Sequence, residues 1–204
     1  MSAFCIFAHS PTSFLNLYYQ GFTSKHLKTD DWVRCALPSP CGSMVASCGN
    51  DFKVRLWSLV KEECTHNMAK HTHVVEILAW APEASYKAIR SIVGGSPETH
   101  PGPFLASAGR DKVVWLWDCG NGVPIHKFRG HDNWIKGLVF HPGGKFLLSC
   151  ADDKTIRLWD IEAKRCVKAI EGHSHFVNSV DIHPSCSHAV SGSVDLSVRV
   201  WECR

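Results

Sequence analysis

An excess of charge of one sign is missing from this chain. Its 22 basic residues face 19 acidic ones, for a formal charge of +3, so it lacks the concentrated positive field that phosphate-driven nucleic-acid binding requires. Long apolar runs are also missing: none approaches the 18 or so residues of a membrane span. Residues 1–24 carry no charge before Lys25, but no basic segment opens them, and the apolar stretch Ala3–Ala8 is shorter than a secretion-signal core. A soluble intracellular chain is the expectation. The signatures of hydrolytic and nucleotide chemistry are absent too, with no GxSxG elbow, P-loop or HExxH stretch. The ten cysteines include no CxxC pair, which argues against a zinc ribbon, and the chain is larger than typical disulfide-stapled scaffolds.

What is present is a repeat. The segments "SCGNDFKVRLWS", "SAGRDKVVWLWD", "SCADDKTIRLWD" and "SGSVDLSVRVWE" align without gaps. In each, Ser leads Asp by four residues and Asp leads Trp by six: Ser47, Asp51, Trp57; Ser107, Asp111, Trp117; Ser149, Asp153, Trp159; Ser191, Asp195, Trp201. The tryptophans are 60, 42 and 42 residues apart, and His71, His131 and His173 repeat the first two of these steps in order, 60 and 42. The extra 18 residues fall within "APEASYKAIRSIVGGSPETHPGP" (81–103), whose Pro, Gly and Ser content reads as a loop inserted between two strands. Cys48 with Cys64 and Cys150 with Cys166 keep the same offsets from their tryptophans; they read as reduced core residues copied with the repeat.

Within one unit, "WIKGLVF", "KFLLSCA", "TIRLWDI" and "CVKAIE" are short β-branched or aromatic runs broken by turn-like "HPGG", "DDK" and "EAKR". Pro40, Pro82, Pro142 and Pro184 follow each first run, where a proline suits a turn and not a central ladder. Each unit is therefore a four-stranded antiparallel meander that needs neighbours to bury its faces. The units span 29–70, 71–130 with an insertion at about 82–103, 131–172 and 173–204.

A unit of about 42 residues with Gly-His early and Trp-Asp late resembles the WD-repeat family. The resemblance implies an all-β, propeller-type fold of four blades, a partial ring. It also implies a hydrogen-bonded chain in each blade: indole N–H to Ser, Ser to His, His to Asp. The sets are His71, Ser107, Asp111, Trp117; His131, Ser149, Asp153, Trp159; and His173, Ser191, Asp195, Trp201. The first unit has Ser47, Asp51 and Trp57, but Thr29 stands where the His belongs, so its set cannot close in the same way and its blade is expected to be the softest. A Ser/His/Asp hydrolase triad is the competing reading, yet a catalytic set occurs once with an exposed nucleophile, whereas this one recurs three times. The pairs His71/His73 and His173/His175 have metal-ligand spacing but suggest no third ligand. His141 and His183 read as exposed turn residues. No catalytic residue, metal or cofactor is expected.

A narrower resemblance rests on "HVVEILAWAPE", "PGPFL", "GHDNW", "GGKFLLSCADDKT", "HFV" and "SGSVDLSVRVWECR". Over residues 29–204 these look like the carboxy-terminal half of the lissencephaly-1 family of dynein regulators, which are also non-catalytic partners of an intracellular acetylhydrolase. The resemblance implies a cytoplasmic, cytoskeleton- and centrosome-associated scaffold. Its implied partners are the cytoplasmic dynein motor, dynein-associated coiled-coil adaptors and acetylhydrolase catalytic subunits, with no nucleic acid. It places on one rim Asn50, Arg110, Asp152 and Val194, then Asp30, Thr72, Asp132 and Ser174, then Trp32, Val74, Trp134 and Phe176. Arg110 and Trp134 lead these as contact residues because Arg and Trp anchor interfaces; covering a blade edge is the competing role for Trp134. The alternatives are a WD-repeat adaptor of another complex and a truncated isoform with impaired binding. The family's dimerisation motif, coiled coil and seven blades have no counterpart in the four units here. The last unit stops after Trp201 without a fourth strand; within the irregular segment 1–28, "FLNLYYQGF" (14–22) is the expected closing strand.

Overall fold

A computed structural model describes residues 14–19 and 23–203. The chain begins with β1 (Phe14–Tyr19) and β2 (Thr23–Lys28), then forms blade 1 from β3 (Val33–Pro38), β4 (Met44–Gly49), β5 (Val54–Ser58) and β6 (Glu63–Met68). Blade 2 contains β7 (Val75–Trp80), β8 (Phe104–Gly109), β9 (Val113–Asp118) and β10 (Val123–Arg129). Blade 3 contains β11 (Ile135–Phe140), β12 (Phe146–Ala151), β13 (Thr155–Asp160) and β14 (Arg165–Glu171), and blade 4 has β15 (Val177–Ile182), β16 (His188–Ser193) and β17 (Val198–Glu202). Each blade is an antiparallel meander in chain order. Among the described residues, β17 has no fourth strand beside it.

Burial follows strand position. In blades 1 to 3 the second strand is covered on both faces, so β8, "FLASAG", is buried throughout, and only small or apolar residues and a bonded Ser fit there. The fourth strands β6, β10 and β14 lie at the outer edge and are mostly exposed. This corrects the reading of the paired cysteines. Cys48 and Cys150, on second strands, are buried; Cys64 and Cys166, on fourth strands, are exposed and half-buried. All nine described cysteines are free thiols.

Blades pack face to face in sequence, their first strands adjacent. Cys35, Ala46, Val54 and Leu56 of blade 1 meet Leu78, Leu105 and Trp117 of blade 2. Ala106, Val114 and Leu116 of blade 2 meet Ile135, Leu138 and Trp159 of blade 3. Leu148 and Ile156 of blade 3 meet Val177, Ile182 and Trp201 of blade 4. Each tryptophan also meets the end of the fourth strand before it: Met68 for Trp117, Phe128 for Trp159 and Ile170 for Trp201. Burying these sequential faces is the main stabilising term.

Two expectations are corrected by the chain path. Segment 1–28 is not irregular throughout, because β1 and β2 pair with each other. The expected closing strand therefore pairs locally and not with blade 4; residues 20–22 of that segment lie outside the described residues. Strands this near in sequence pair at far lower entropic cost than strands at opposite ends of the chain. The insertion is not a plain loop either. It holds a short 3-10 turn, Glu83–Ser85, and α1 (Tyr86–Val93). The apolar residues Tyr86, Ile89 and Ile92 recur every three positions and share one face; Ile89 is fully buried, and Tyr86 and Ile92 pack against the blade 2–blade 3 core. Gly94, in the left-handed region at φ 65°, ends the helix with its N–H bonded to the Arg90 carbonyl. The dense turn residues around 94–103 masked this single apolar stripe.

The insertion also lies against blade 3. Gly144, in the turn between β11 and β12, has φ 81° and faces the backbone of Ala84 and Ser85 so closely that an added Cβ would fall 2.3 Å from the Ala84 carbonyl carbon. Lys164 Nζ donates to the Ile92 carbonyl at 3.1 Å.

Candidate partner-binding rim and the hydrogen-bonded sets beneath it

The recurrent His, Ser, Asp and Trp meet in three blades. In blade 2, His71 Nδ1 lies 2.7 Å from Asp111 Oδ2 and its Nε2 2.7 Å from Ser107 Oγ, to which Trp117 Nε1 donates at 2.7 Å. Blade 3 has the same contacts at 2.7, 2.7 and 2.8 Å through His131, Asp153, Ser149 and Trp159. In blade 4, His173, Asp195, Ser191 and Trp201 give 2.8, 2.8 and 2.9 Å. A carboxylate facing Nδ1 fixes the proton there, so Nε2 accepts from the serine hydroxyl, whose oxygen accepts the indole N–H. Ser107, Ser149 and Ser191 are buried and committed in both directions, which is the opposite of an exposed nucleophile.

The carboxylates take further donors. The backbone N–H groups of Thr72, Asp132 and Ser174 donate to Asp111, Asp153 and Asp195, and the Thr155 and Ser197 hydroxyls donate to Asp153 and Asp195. Burial alone raises Asp153, but hydrogen bonds from His131, from the Thr155 hydroxyl and from the Asp132 backbone N–H hold it well below the usual carboxylate range. Asp195 is held down by the Ser197 hydroxyl and by His173 against its own desolvation. A carboxylate depressed in the folded state stabilises the fold at pH values above its unfolded pKa, near 3.9, and that contribution is lost progressively as pH falls below about 4 toward the folded pKa. The urea midpoint should therefore drop between pH 5 and pH 3, and Asp153→Asn should flatten that drop; an unchanged pH slope in the variant would remove Asp153 as its source.

Blade 1 departs in a way that sequence spacing alone did not show. Trp57 Nε1 donates to Ser47 Oγ at 2.8 Å, while the buried Arg55 supplies the carboxylate's partner in place of an imidazole. Its guanidinium binds Asp51 and reaches Asp30 Oδ2 at 2.5 Å, and Lys53 Nζ adds 3.1 Å to Asp30. Thr29 instead donates to the Asp31 carbonyl. With Asp51 ion-paired, the missing histidine is no longer a reason to expect the softest blade here.

Above these sets lies a rim of aromatic and charged side chains. Trp32, Trp134 and Phe176, at one repeat position, are exposed, whereas Val74 at that position is buried. Arg110 lies over the Trp134 ring at 4.4 Å, and its Nε donates to Glu76 Oε1 at 2.6 Å. Lys136 approaches the same ring at 5.4 Å and the same carboxylate at 3.4 Å. Burial raises Glu76, but the hydrogen bond from Arg110 and the Lys136 charge outweigh it and bring it below its ordinary value. Phe52 and Trp134 flank the His73 ring at 5.6 and 6.4 Å. Asn50 accepts from Arg34 Nε at 2.7 Å, with Arg34 over Trp32 at 5.8 Å.

Not every expected rim residue is presented to solvent. Asp152 is buried, its Oδ1 without a hydrogen-bond partner, and burial raises its pKa, reinforced by Glu76 against Lys136 and Arg110. Asp132 is exposed, 3.9 Å from Arg157, and Val194 is exposed. Sequence reading missed Arg34, Glu76 and Lys136, although they share one register, two residues after Trp32, Val74 and Trp134. Periodicity marked the conserved spacing and passed over positions where the residue type changes. The second histidines of the HxH pairs face local backbone: His73 Nδ1 accepts from Val74 N–H and His175 Nδ1 from Phe176 N–H. His141 is half-buried against Phe146, not exposed, while His183 is exposed.

Three packed four-stranded meanders and a three-stranded one, with the same buried set in three of them, define a WD-type partial β-propeller. The profile of the WD domain, G-beta repeat family matches residues 20–58, 62–118, 122–160 and 164–202, and the chain belongs to that family. Among curated proteins it is similar to nuclear distribution protein PAC1-2 of Uncinocarpus reesii, 39% identical over 117 residues covering 55% of this chain and 25% of that protein. It is also similar to PAC1 of Coccidioides posadasii, 41% identical over 117 residues (56% and 25%), and to nudF of Emericella nidulans, 40% over 129 residues (61% and 29%). The chain thus spans little more than a quarter of the length of these relatives.

Proposed function

We propose that the chain is a non-catalytic interaction scaffold of the lissencephaly-1 type, which binds the cytoplasmic dynein motor through the rim around Trp134 and Arg110. The observation that carries this reading is the arrangement of Arg110 over Trp134, fixed by Glu76. An aromatic–guanidinium pair already held in place loses little side-chain freedom on binding, which is what an interface anchor needs. Phe52, Trp32 and Phe176 extend the exposed aromatic surface, and the relatives' description as nuclear distribution proteins agrees with a microtubule-transport role. Cytoplasmic, cytoskeletal and centrosomal location, and binding of coiled-coil adaptors and acetylhydrolase catalytic subunits, belong to the same proposal.

Immobilised dynein motor domain should capture the chain, and Trp134→Ala or Arg110→Ala should each raise Kd about tenfold or more, equivalent to about 1.4 kcal/mol or more. Unchanged affinity in both variants would remove this rim as the site. Failure of the parent chain to bind the motor would leave a WD-repeat adaptor of another complex.

A further inference from the structure

Two thiols face each other inside blade 1. Cys35 of β3 and Cys48 of β4 are direct register partners, so both side chains leave the same face of the sheet, the one packed on blade 2. They are 5% and 3% exposed. Cys48 Sγ lies 3.4 Å from the Val75 carbonyl oxygen of β7, and the Cys48 thiol and the Leu78 backbone N–H, also of β7, both hydrogen-bond the Cys35 sulfur. The pair is thus held in place by the neighbouring blade as well as by its own strands.

No other blade sets two sulfurs at this register. Ile77 stands opposite Ala108, Gly137 opposite Cys150 and Ser179 opposite Gly192, so each of those pairs includes a residue with little or no side chain. Blade 3 shows how close the partners are: a Cβ added at Gly137 would fall 2.6 Å from Cys150 Sγ, a separation that unbonded atoms do not keep. Directly opposed Cα atoms of an antiparallel pair are about 4.5–5.5 Å apart, within the span of about 4.4–6.8 Å that a disulfide bridges. Reactivity is divided between the two sulfurs. Burial pushes the Cys48 thiol well up, whereas the hydrogen bond from Cys48 holds Cys35 below an ordinary thiol, which makes Cys35 the better nucleophile of the two.

We propose that Cys35 and Cys48 are an oxidisable pair, a modification site inside blade 1 that a hydroperoxide converts to a disulfide. The Cys35 sulfur attacks a peroxide oxygen: an S–O bond forms, the O–O bond breaks, and the hydroxide released leaves as water with one thiol proton. The Cys48 sulfur then attacks the sulfenic sulfur: the S–S bond forms, the S–O bond breaks, and the second hydroxide leaves as water with the other thiol proton. Two thiols lose two electrons and one peroxide becomes two waters; exchange with a thiol reductant reverses the change. Cys41, exposed and brought down to about 7 by the Ser39 and Ser43 hydroxyls, also meets peroxide, but its sulfur contacts are those hydroxyls. The new bond ties β3 to β4 beneath the rim, one residue from Arg34 and two from Asn50, which bond each other at 2.7 Å.

Mass spectrometry of the chain carrying Cys41→Ser tests this, because Cys35 and Cys48 are then the sole cysteines between the tryptic cleavage points at Arg34 and Lys53. After brief exposure to hydrogen peroxide, unfolding and alkylation, the 35–53 peptide should be unalkylated and lighter by two hydrogens, with far-UV circular dichroism of the oxidised chain unchanged. Dithiothreitol before alkylation should restore two alkylated sites. Cys48→Ser in the same background should leave a sulfenic acid on Cys35, trapped by a 1,3-diketone. Two alkylated thiols after peroxide, or a disulfide joining either one to a cysteine outside this peptide, overturn the proposal. So does a disulfide that appears only together with loss of the circular dichroism signal. An unlabelled Cys35 in the folded Cys48→Ser chain overturns its place as the attacking sulfur.

Discussion

His131→Ala should lower the unfolding free energy by about 3 kcal/mol, read as a fall in urea midpoint at unchanged m-value. The imidazole bridges Ser149 Oγ and Asp153 Oδ2, both at 2.7 Å, beneath the Trp159 ring. Truncation does more than delete two hydrogen bonds. It strands a serine hydroxyl at a fully buried site and takes from Asp153 the donor that offsets its desolvation, and an unsatisfied buried group costs about 1–3 kcal/mol. Asp132→Ala, one residue away and exposed, should change stability by less than about 0.5 kcal/mol. Equal effects at the two sites would contradict the buried set as a stabilising unit.

Gly144→Ala should cost about 3 kcal/mol or more, measured by thermal or urea unfolding. Two penalties combine there. The residue holds φ 81°, which L side chains adopt at a cost of roughly 1–2 kcal/mol, and the new Cβ would meet backbone atoms of Ala84 and Ser85 at 2.3–2.5 Å, where no side chain can rotate away. Gly42 separates the two effects. It has φ 70° with nothing within 4 Å of its Cβ position, so Gly42→Ala should show the conformational penalty alone. A loss at Gly144 no larger than at Gly42 would mean that the insertion does not press on blade 3.

Much of this molecule was legible because the repeat copies the same physics several times. Ser149, Asp153 and Trp159 announced a buried set through their spacing, since burying an indole N–H and a carboxylate demands partners at fixed distances. What spacing could not show was substitution in kind. Arg55 reaches Asp51 from two positions before Trp57, and the corresponding residues Trp115, Arg157 and Arg199 do not mark it as different. Nor did the pattern reveal α1, because one eight-residue stripe of Tyr86, Ile89 and Ile92 occurs only once and is surrounded by turn residues. Asp152 illustrates a third failure: its place in the repeat put it on the rim, but the side chain is buried, close enough to Lys136, Glu76 and Arg110 to feel their charges.

The tryptophans carry a consequence for how order spreads along the chain. Each one closes the strands of its own blade through its indole N–H, yet rests its ring on the fourth strand of the blade before. One side chain thus couples an internal constraint to a neighbour's presence, and the coupling points toward the amino terminus. In a one-dimensional array with such nearest-neighbour terms, the loss of one blade costs both of its neighbours a packed face, so disorder introduced at one blade is felt on either side of it.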